Sequence, residues 1–333
     1  MGGGRRRQWT VTGKGERQWA ANNSLMENQM GRIRLGINTC FAIKRYSEPE
    51  EWAGIVGEEL GVKEAQFSAD LLDPLVGGEV RAEMVRRTVE AAARHYVNIH
   101  SVFSGVGVQA GNLLLHWEEG MRNHGLNWYR GMVEIASGLG AEGCGGILGS
   151  HTFRQMAEGK EMRRVRALLV ERWRELADYG AEKGIAYLMT EPMSVAREYP
   201  SGMEDAEEVY GGFNSEAAIP TYFCLDVGHL LACSGTEEDR DPYAWIGRFG
   251  SRSRAVHLQQ TDGRRSHHWP FTREYNKIGI IKGEKLLEAI AESGAEDLVL
   301  FLEVFHANFE PFDTRVLDDL KASVEYWRRF VPG

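Results

Sequence analysis

The chain has 333 residues, of which 43% are hydrophobic and 26% charged, so it can build one large domain with its own core. Its formal net charge of −9 at pH 7 opposes binding to the phosphate backbone of a nucleic acid and favours a small molecule as the ligand. No apolar run approaches the roughly 18 residues that a membrane span needs, and none follows the basic residues 5–7, so the sequence predicts a cytoplasmic protein without a membrane partner.

The amino-terminal residues 1–30 differ in composition from the rest of the chain. They are rich in Gly, Arg, Asn and Gln and show no periodicity, so we interpret them as a flexible extension. A translation start at Met26 or Met30 is the alternative interpretation. The sequence then predicts a single domain over residues 31–333.

The cysteines are widely spaced, and three of the four fall inside or beside apolar runs. This arrangement is typical of buried, reduced thiols and not of a disulfide framework or a metal site. The four are Cys40, Cys144, Cys224 and Cys233.

From residue 33 onward, strand-like apolar runs alternate with amphipathic helical segments. Strands are predicted at 35–39, 64–69, 97–102, 143–148, 185–190, 222–225, 255–256 and 298–302. Helices are predicted after a capping box at Ser47, over 78–95 and 126–139, on a stripe from Met162 to Ala177, within 193–219, at Pro242–Phe249 and Gly283–Ser293, and from Asp313 onward.

Eight strand–helix pairs in sequence indicate a closed (β/α)8 TIM barrel of the α/β class, with a doubly wound open sheet as the alternative. The glycine-rich stretches lack a GxGxxG or GxxxxGK[ST] arrangement, so the sequence predicts no nucleotide cofactor.

Four of the predicted strands end on a residue that could bind a metal ion. A carboxylate directly after a buried strand is costly to leave unpaired, although any single acid could instead be a salt-bridge partner or a helix cap. Because the carboxyl ends of parallel strands meet at one rim of a barrel, one divalent cation could satisfy all four residues together. They are Glu191, Asp226, His257 and Glu303, from the fifth to the eighth strand.

Three carboxylates and one imidazole form a donor set rich in oxygen. Such a set favours Mn²⁺, with Mg²⁺, Co²⁺ or Zn²⁺ as alternatives. His229 follows Asp226 by three positions. A single histidine is more often structural, but this spacing from a predicted ligand makes His229 a candidate contact to the substrate.

These strand ends resemble the xylose-isomerase-like barrel superfamily, which includes ketose 3-epimerases, hydroxypyruvate isomerases and, more distantly, endonuclease IV. The resemblance covers about residues 33–330. It is carried by Glu-Pro at 191–192, Leu-Asp-Val-Gly-His at 225–229, His-Leu at 257–258, Leu-Glu-Val at 302–304, and the glycine-containing run 278–287.

The resemblance implies that the four strand-end residues bind the metal and that Glu191 and Glu303 also act as acid and base. It implies substrate contact by His229 and by a basic residue after the seventh strand, for which we select Arg264, with Arg265 adjacent. His100 and His151 are further candidates for substrate contact. A substrate phosphate could be held by cations on predicted loops, namely Lys44, Arg45, Arg264, Arg265 and Lys277.

The predicted function is a metal-dependent sugar or sugar-phosphate epimerase or isomerase that moves a proton through a metal-stabilised enediolate. We favour 3-epimerisation of a short-chain ketose phosphate, and the long loop over 259–272 indicates a tetrulose-phosphate epimerase. The alternatives are an aldose–ketose isomerase of the hydroxypyruvate type and an abasic-site nuclease resembling endonuclease IV. The sequence leaves the native metal and the oligomeric state open, a homo-oligomer included.

Overall fold

The computed structural model of the protein describes residues 32–229 and 235–331. The predicted flexible extension over residues 1–30 lies outside these residues, and so does Cys233. The other three cysteines, Cys40, Cys144 and Cys224, are buried free thiols, as predicted.

Eight parallel strands form a closed barrel. They are β1 Arg32–Asn38, β2 Glu64–Ser68, β3 Asn98–Phe103, β4 Gly143–Gly146, β5 Tyr187–Thr190, β6 Thr221–Asp226, β7 Ser253–Leu258 and β8 Asp297–Leu302. Each strand pairs with the next in the chain, and β8 pairs with β1 from Arg32 opposite Asp297 to Ile37 opposite Leu302. This closure confirms the predicted (β/α)8 barrel, and the open-sheet alternative is wrong.

Helices connect the strands on the outside of the barrel. They are α1 Pro49–Gly54, α2 Gly78–Arg94, α3 Glu119–Leu139, α4 Phe153–Ala157, α5 Gly159–Lys183, α6 Met203–Asn214, α7 Pro242–Phe249, α8 Arg273–Ile278, α9 Gly283–Ser293 and α10 Val316–Trp327. The short helices α4 and α8 were not predicted. Each lies in the loop between a strand and the longer helix that follows it. Across the described residues, no helix combines the length and the apolar character needed to cross a membrane.

Helix α5 illustrates how the sequence pattern becomes packing. Its predicted stripe is buried at Val165, Leu169, Trp173 and Leu176, which are spaced three or four residues apart. The indole Nε1 of Trp173 donates a hydrogen bond to Thr221 Oγ1 on β6 at 2.9 Å. The apolar stripe therefore fixes this helix against the strands that end at the predicted site.

The barrel interior is filled by a group of mainly apolar side chains from β3 and from β5 to β8. These side chains, the apolar layer of the barrel, are Phe103, Tyr187, Met189, Cys224, Ala255, Val299 and Phe301. Successive side chains of a strand point to opposite faces, so residues two positions apart share a face. Two positions beyond the layer, β5 to β8 present Glu191, Asp226, His257 and Glu303 to the interior at the carboxyl end of the barrel.

Glycines in β4 let this strand approach β5 closely, because a Cβ atom on Gly145 would overlap the carbonyl group of Met189. We expect Gly145→Ala to lower the free energy of unfolding by about 1–3 kcal/mol, as overpacking of an interior usually does. The matched control is Gly211→Ala in α6, where a Cβ meets no atom within 4 Å. The control should leave stability unchanged or raise it by about 0.5–1 kcal/mol. Chemical denaturation measures both, and equal stability of the two variants would contradict this packing argument.

Candidate active site

The four predicted strand-end residues meet inside the mouth of the barrel. His257 Nδ1 lies 3.1 Å from Glu191 Oε1, 3.0 Å from Glu303 Oε2 and 4.0 Å from Asp226 Oδ2. Donor atoms from all four residues lie within 4.8 Å of one another, and all four side chains are buried. The structure thus brings together the predicted set, in an arrangement that could hold one metal ion.

The carboxylate of Asp226 provides a test of whether these residues suit a cation. Its Oδ1 accepts hydrogen bonds from the main-chain N–H groups of Gly228 and His229, at 2.6 and 2.9 Å, and from Gln259 Nε2 at 2.8 Å. Its Oδ2 is buried and has no hydrogen-bond partner. A buried, unpaired carboxylate oxygen that faces an imidazole and two further carboxylates is the donor that a divalent cation requires.

The electrostatics of the cluster also favour positive charge at its centre. Burial by itself would lower the pKa of the His257 imidazole, but the adjacent Cys224 and Glu303 raise it well above its ordinary value. Burial would raise the pKa of the Glu191 carboxyl, but His229 and His257 lower it to about 2. The carboxylate of Glu191 is therefore ionised at neutral pH, and a divalent cation would supply the charge that the carboxylates attract.

His229 lies directly beside the cluster, as its spacing from Asp226 predicted. It is buried, and its Nδ1 is 3.3 Å from Glu191 Oε1. Burial would lower the pKa of its imidazole, but Asp226 and Glu191 raise it to about 10. A positively charged imidazole at this position can donate a hydrogen bond to a substrate oxygen.

A second group of donors adjoins the first and consists of Asp226, His229 and His268. The amide of Gln259 lies among them, with Nε2 2.8 Å from Asp226 Oδ1 and 3.2 Å from His268 Nε2. Asp226 Oδ1 already accepts a hydrogen bond from this amide, so it is less available to a second metal ion. The geometry therefore favours a single cation at the first group over a pair of ions.

Four polar residues near the cluster were missed in the sequence. Asn38 and Gln66 lie on β1 and β2, while Gln259 and His268 belong to the region after His257. Asn38 and Gln66 could have been found, because a polar side chain within an apolar barrel strand needs a buried partner. The left-handed backbone of His268, with φ of 51°, is visible only in the structure.

His100 is a correction to the predicted site. It lies within β3, three residues before its end, and its Nε2 is 3.4 Å from the Tyr187 hydroxyl at the start of β5. Burial and the nearby Arg34 lower its pKa to about 4. His100 lies inside the strand rather than at its end, and its contact with Tyr187 places it toward the amino-terminal end of the barrel. It therefore does not join the four strand-end residues at the mouth of the barrel.

The other predicted substrate contacts do not join the cluster. His151 is buried between α5 and the loop after β5, where Arg166 Nε is 3.5 Å from its Nε2, and burial followed by Arg166 lowers its pKa to about 4. Arg264 has a side chain that is 88% exposed. Lys277 is exposed on α8, in a groove shared with α10. These residues were predicted to contact the substrate because they lie near strand ends. The direction of the side chain decides which of them reaches the site.

The cationic residues predicted to hold a phosphate also lie outside the cluster of strand-end residues. Arg45 Nε is 2.6 Å from Asp313 Oδ1, and its guanidinium also donates to the carbonyl oxygen of His306 at 3.1 Å. Lys44 and Arg265 are exposed. Arg45 is therefore engaged in holding the loop after β8.

Residues 57–330 match the family model described as a xylose isomerase-like TIM barrel. The D-erythrulose 1-phosphate 3-epimerase of Brucella abortus is 26% identical over 296 residues, which are 89% of this chain and 95% of the relative.

Solved structures extend this comparison. A Rhodospirillum rubrum protein provisionally named a xylose isomerase is 27% identical, has a TM-score of 0.83, and is matched over 90% of this chain and 100% of its own. A D-psicose 3-epimerase from Clostridium cellulolyticum, solved with D-tagatose, has a TM-score of 0.66 at 15% identity, over 90% of this chain and 99% of its own. At that identity the likeness concerns the fold.

We expect Asp226→Asn to weaken Mn²⁺ binding by at least about tenfold, because an amide is a poorer ligand for a hard cation than a carboxylate. The matched control is Asp319→Asn, which alters a buried carboxylate that pairs with His306 at 3.0 Å outside the cluster. Titration calorimetry with Mn²⁺ on both folded variants gives the comparison. Wild-type affinity in Asp226→Asn would exclude Asp226 from the site.

Proposed function

Because the chain belongs to the xylose isomerase-like TIM barrel family, we propose that it is a metal-dependent 3-epimerase of a short-chain ketose phosphate. Membership of the family confirms the resemblance found in the sequence. The Brucella abortus relative is named for 3-epimerisation of D-erythrulose 1-phosphate, which agrees with the predicted tetrulose-phosphate substrate. The relatives thus support an enzyme of the isomerase class that acts on sugars.

The observation that carries the proposal is the arrangement of two glutamates around one imidazole. Glu191 and Glu303 follow β5 and β8, which are three strands apart in the ring, and their carboxylates approach His257 Nδ1 at 3.1 and 3.0 Å. Inversion of a stereocentre through a planar intermediate needs proton removal on one face and proton return on the other. Two carboxylates that approach one point from separate strands can supply both steps.

The cation would be held by Glu191, Asp226, His257 and Glu303. When bound, it would polarise the ketose carbonyl and stabilise the negative charge that develops on the substrate oxygens. The unpaired Oδ2 of Asp226 and the buried carboxylates fit this role. We propose Mn²⁺ as the native ion, since the donors are mostly oxygen.

The proton steps then use the side chains of this chain. The ionised carboxylate of Glu191 takes the proton from C3, and the electron pair of the broken C–H bond moves into the adjacent carbonyl to give an enediolate. Glu303, after taking up a proton from solvent, gives that proton to the opposite face of C3, where the electron pair of the enediolate forms the new C–H bond and the carbonyl is restored. Proton exchange with solvent restores the two carboxyl groups, and His229 donates a hydrogen bond to a substrate oxygen throughout.

Aldose–ketose isomerisation is the second candidate. It is favoured by the Rhodospirillum rubrum structure, which carries a xylose isomerase name at 27% identity. One base on one face of the substrate would suffice for that reaction, so the position of proton exchange separates the two candidates.

We also propose a cytoplasmic enzyme, on the basis of the three buried free thiols, which suit a reducing compartment. Its partner is a small sugar or sugar phosphate. The acidic balance of the chain does not suit a nucleic acid.

We expect a phosphorylated tetrulose to be turned over with a higher kcat/KM than the free tetrulose. A bound phosphate group contributes binding energy away from the reacting carbon, which can be used to align the substrate at the carboxylates. Steady-state assays of both sugars with Mn²⁺ test this. An equal or reversed preference would place the enzyme with epimerases of free sugars.

Turnover in deuterated water should place solvent deuterium at C3 of the product, with little label at C1. The reason is that the two carboxylates exchange protons with solvent between turnovers. NMR or mass spectrometry of the product locates the label. Deuterium mainly at C1 or C2, together with an aldose product, would establish isomerisation instead.

A further inference from the structure

Gln66 is a buried amide on β2 that contacts one of the candidate metal ligands, His257. Its side chain has no exposure to solvent. Its Oε1 lies 2.6 Å from His257 Nε2 and 2.7 Å from Asn38 Nδ2, and its Nε2 lies 3.3 Å from Ser101 Oγ. Every polar atom of this amide therefore has a partner inside the barrel.

The direction of these hydrogen bonds can be deduced from one main-chain group. The N–H of Cys40 can only donate, and it donates to Asn38 Oδ1 at 2.9 Å. The other end of the Asn38 amide is therefore its NH₂ group, which donates to Gln66. The Gln66 atom that receives this bond is its carbonyl oxygen, and a carbonyl oxygen accepts from His257 only if Nε2 carries a hydrogen.

We propose that Gln66 is a positioning residue that holds the hydrogen of His257 on Nε2 and so presents Nδ1 as the metal ligand. This inference rests on the metal site of the proposed function. It agrees with the geometry, because Nδ1 is the ring atom that faces Glu191 and Glu303. A hydrogen-bond acceptor behind a ligating histidine fixes both its tautomer and its ring orientation.

Asn38 extends the same support to a second ligand. Its Nδ2 lies 3.3 Å from Glu303 Oε1 as well as 2.7 Å from Gln66 Oε1. The main-chain N–H of Cys40 thus fixes the Asn38 amide. Asn38 in turn contacts Glu303 directly and His257 through Gln66. Three carboxylates already surround His257, and a neutral acceptor orients its ring without adding a fourth negative charge.

The test measures metal binding without any sugar. Gln66→Met keeps the approximate size of the side chain but removes the acceptor, and we expect it to weaken Mn²⁺ binding about 10–100-fold. Ser101→Ala is the matched control, because it removes the hydrogen-bond partner of Gln66 Nε2 and leaves the bonds of Gln66 Oε1 to His257 and Asn38. Ser101→Ala should bind Mn²⁺ as the wild type does. Gln66→Glu restores an acceptor and should recover most of the lost affinity.

NMR spectroscopy can detect the hydrogen on His257 Nε2 directly. In wild-type protein loaded with diamagnetic Mg²⁺ and labelled with ¹⁵N at histidine, we expect a slowly exchanging hydrogen on His257 Nε2. Gln66→Glu should retain this signal, and Gln66→Met should lose it through exchange with water. With Co²⁺, the visible spectrum of Gln66→Met should change as its histidine ligand is no longer held.

Several results would overturn the proposal. They are wild-type Mn²⁺ affinity in folded Gln66→Met, a loss of affinity in Gln66→Glu as large as in Gln66→Met, or a hydrogen on Nδ1 of His257 in the loaded wild type. The last result applies even if Gln66→Met does not fold. Failure of the proposed function looks different, since wild-type protein would then bind no divalent ion or would bind it without acting on a ketose.

Discussion

Three carboxylates and an imidazole are buried together at one end of the barrel, and the rest of the site is arranged around this concentration of charge. Like charges removed from water repel strongly, and an unpaired buried ion costs several kcal/mol. Burial of Glu191, Asp226 and Glu303 therefore requires positive charge close to their carboxylates. The proposed cation would offset the charge of all three carboxylates at once.

The barrel supplies this arrangement through strand geometry. Inward-facing apolar residues close the interior, and the next inward positions on β5 to β8 carry the polar donors. Because the strands are parallel, these positions lie at the same rim. The same apolar layer separates the donors from the amino-terminal end of the barrel, where Arg34 bridges Glu64 and Asp297. His100 belongs to that opposite end, so the two polar regions of the interior are distinct.

Buried amides give the charged residues their orientation. Gln66 contacts His257 from β2, and Gln259 contacts Asp226 from the segment after β7. Gln259 also accepts hydrogen bonds from the main-chain N–H groups of His267 and His268, which ties the following loop to the site. Gly228 is required here, because a Cβ at that position would overlap the Gln259 amide. Neutral amides thus orient His257 and Asp226 without adding charge to the cluster.

The sequence by itself determined the barrel and the donor set. Glu191, Asp226, His257 and Glu303 are detectable because each ends an apolar strand, and the alternation along a strand then fixes their common direction. The tertiary structure decided which other residues surround them. His100 and Arg264 stand in or near predicted strands, but the first lies toward the amino-terminal end of the barrel and the second turns its side chain to solvent. Gln66 is detectable as a polar residue in an apolar strand, but its partner His257 is 191 residues away in the chain. This contact depends on barrel closure, and the position of His268 depends on loop conformation, neither of which local sequence patterns encode.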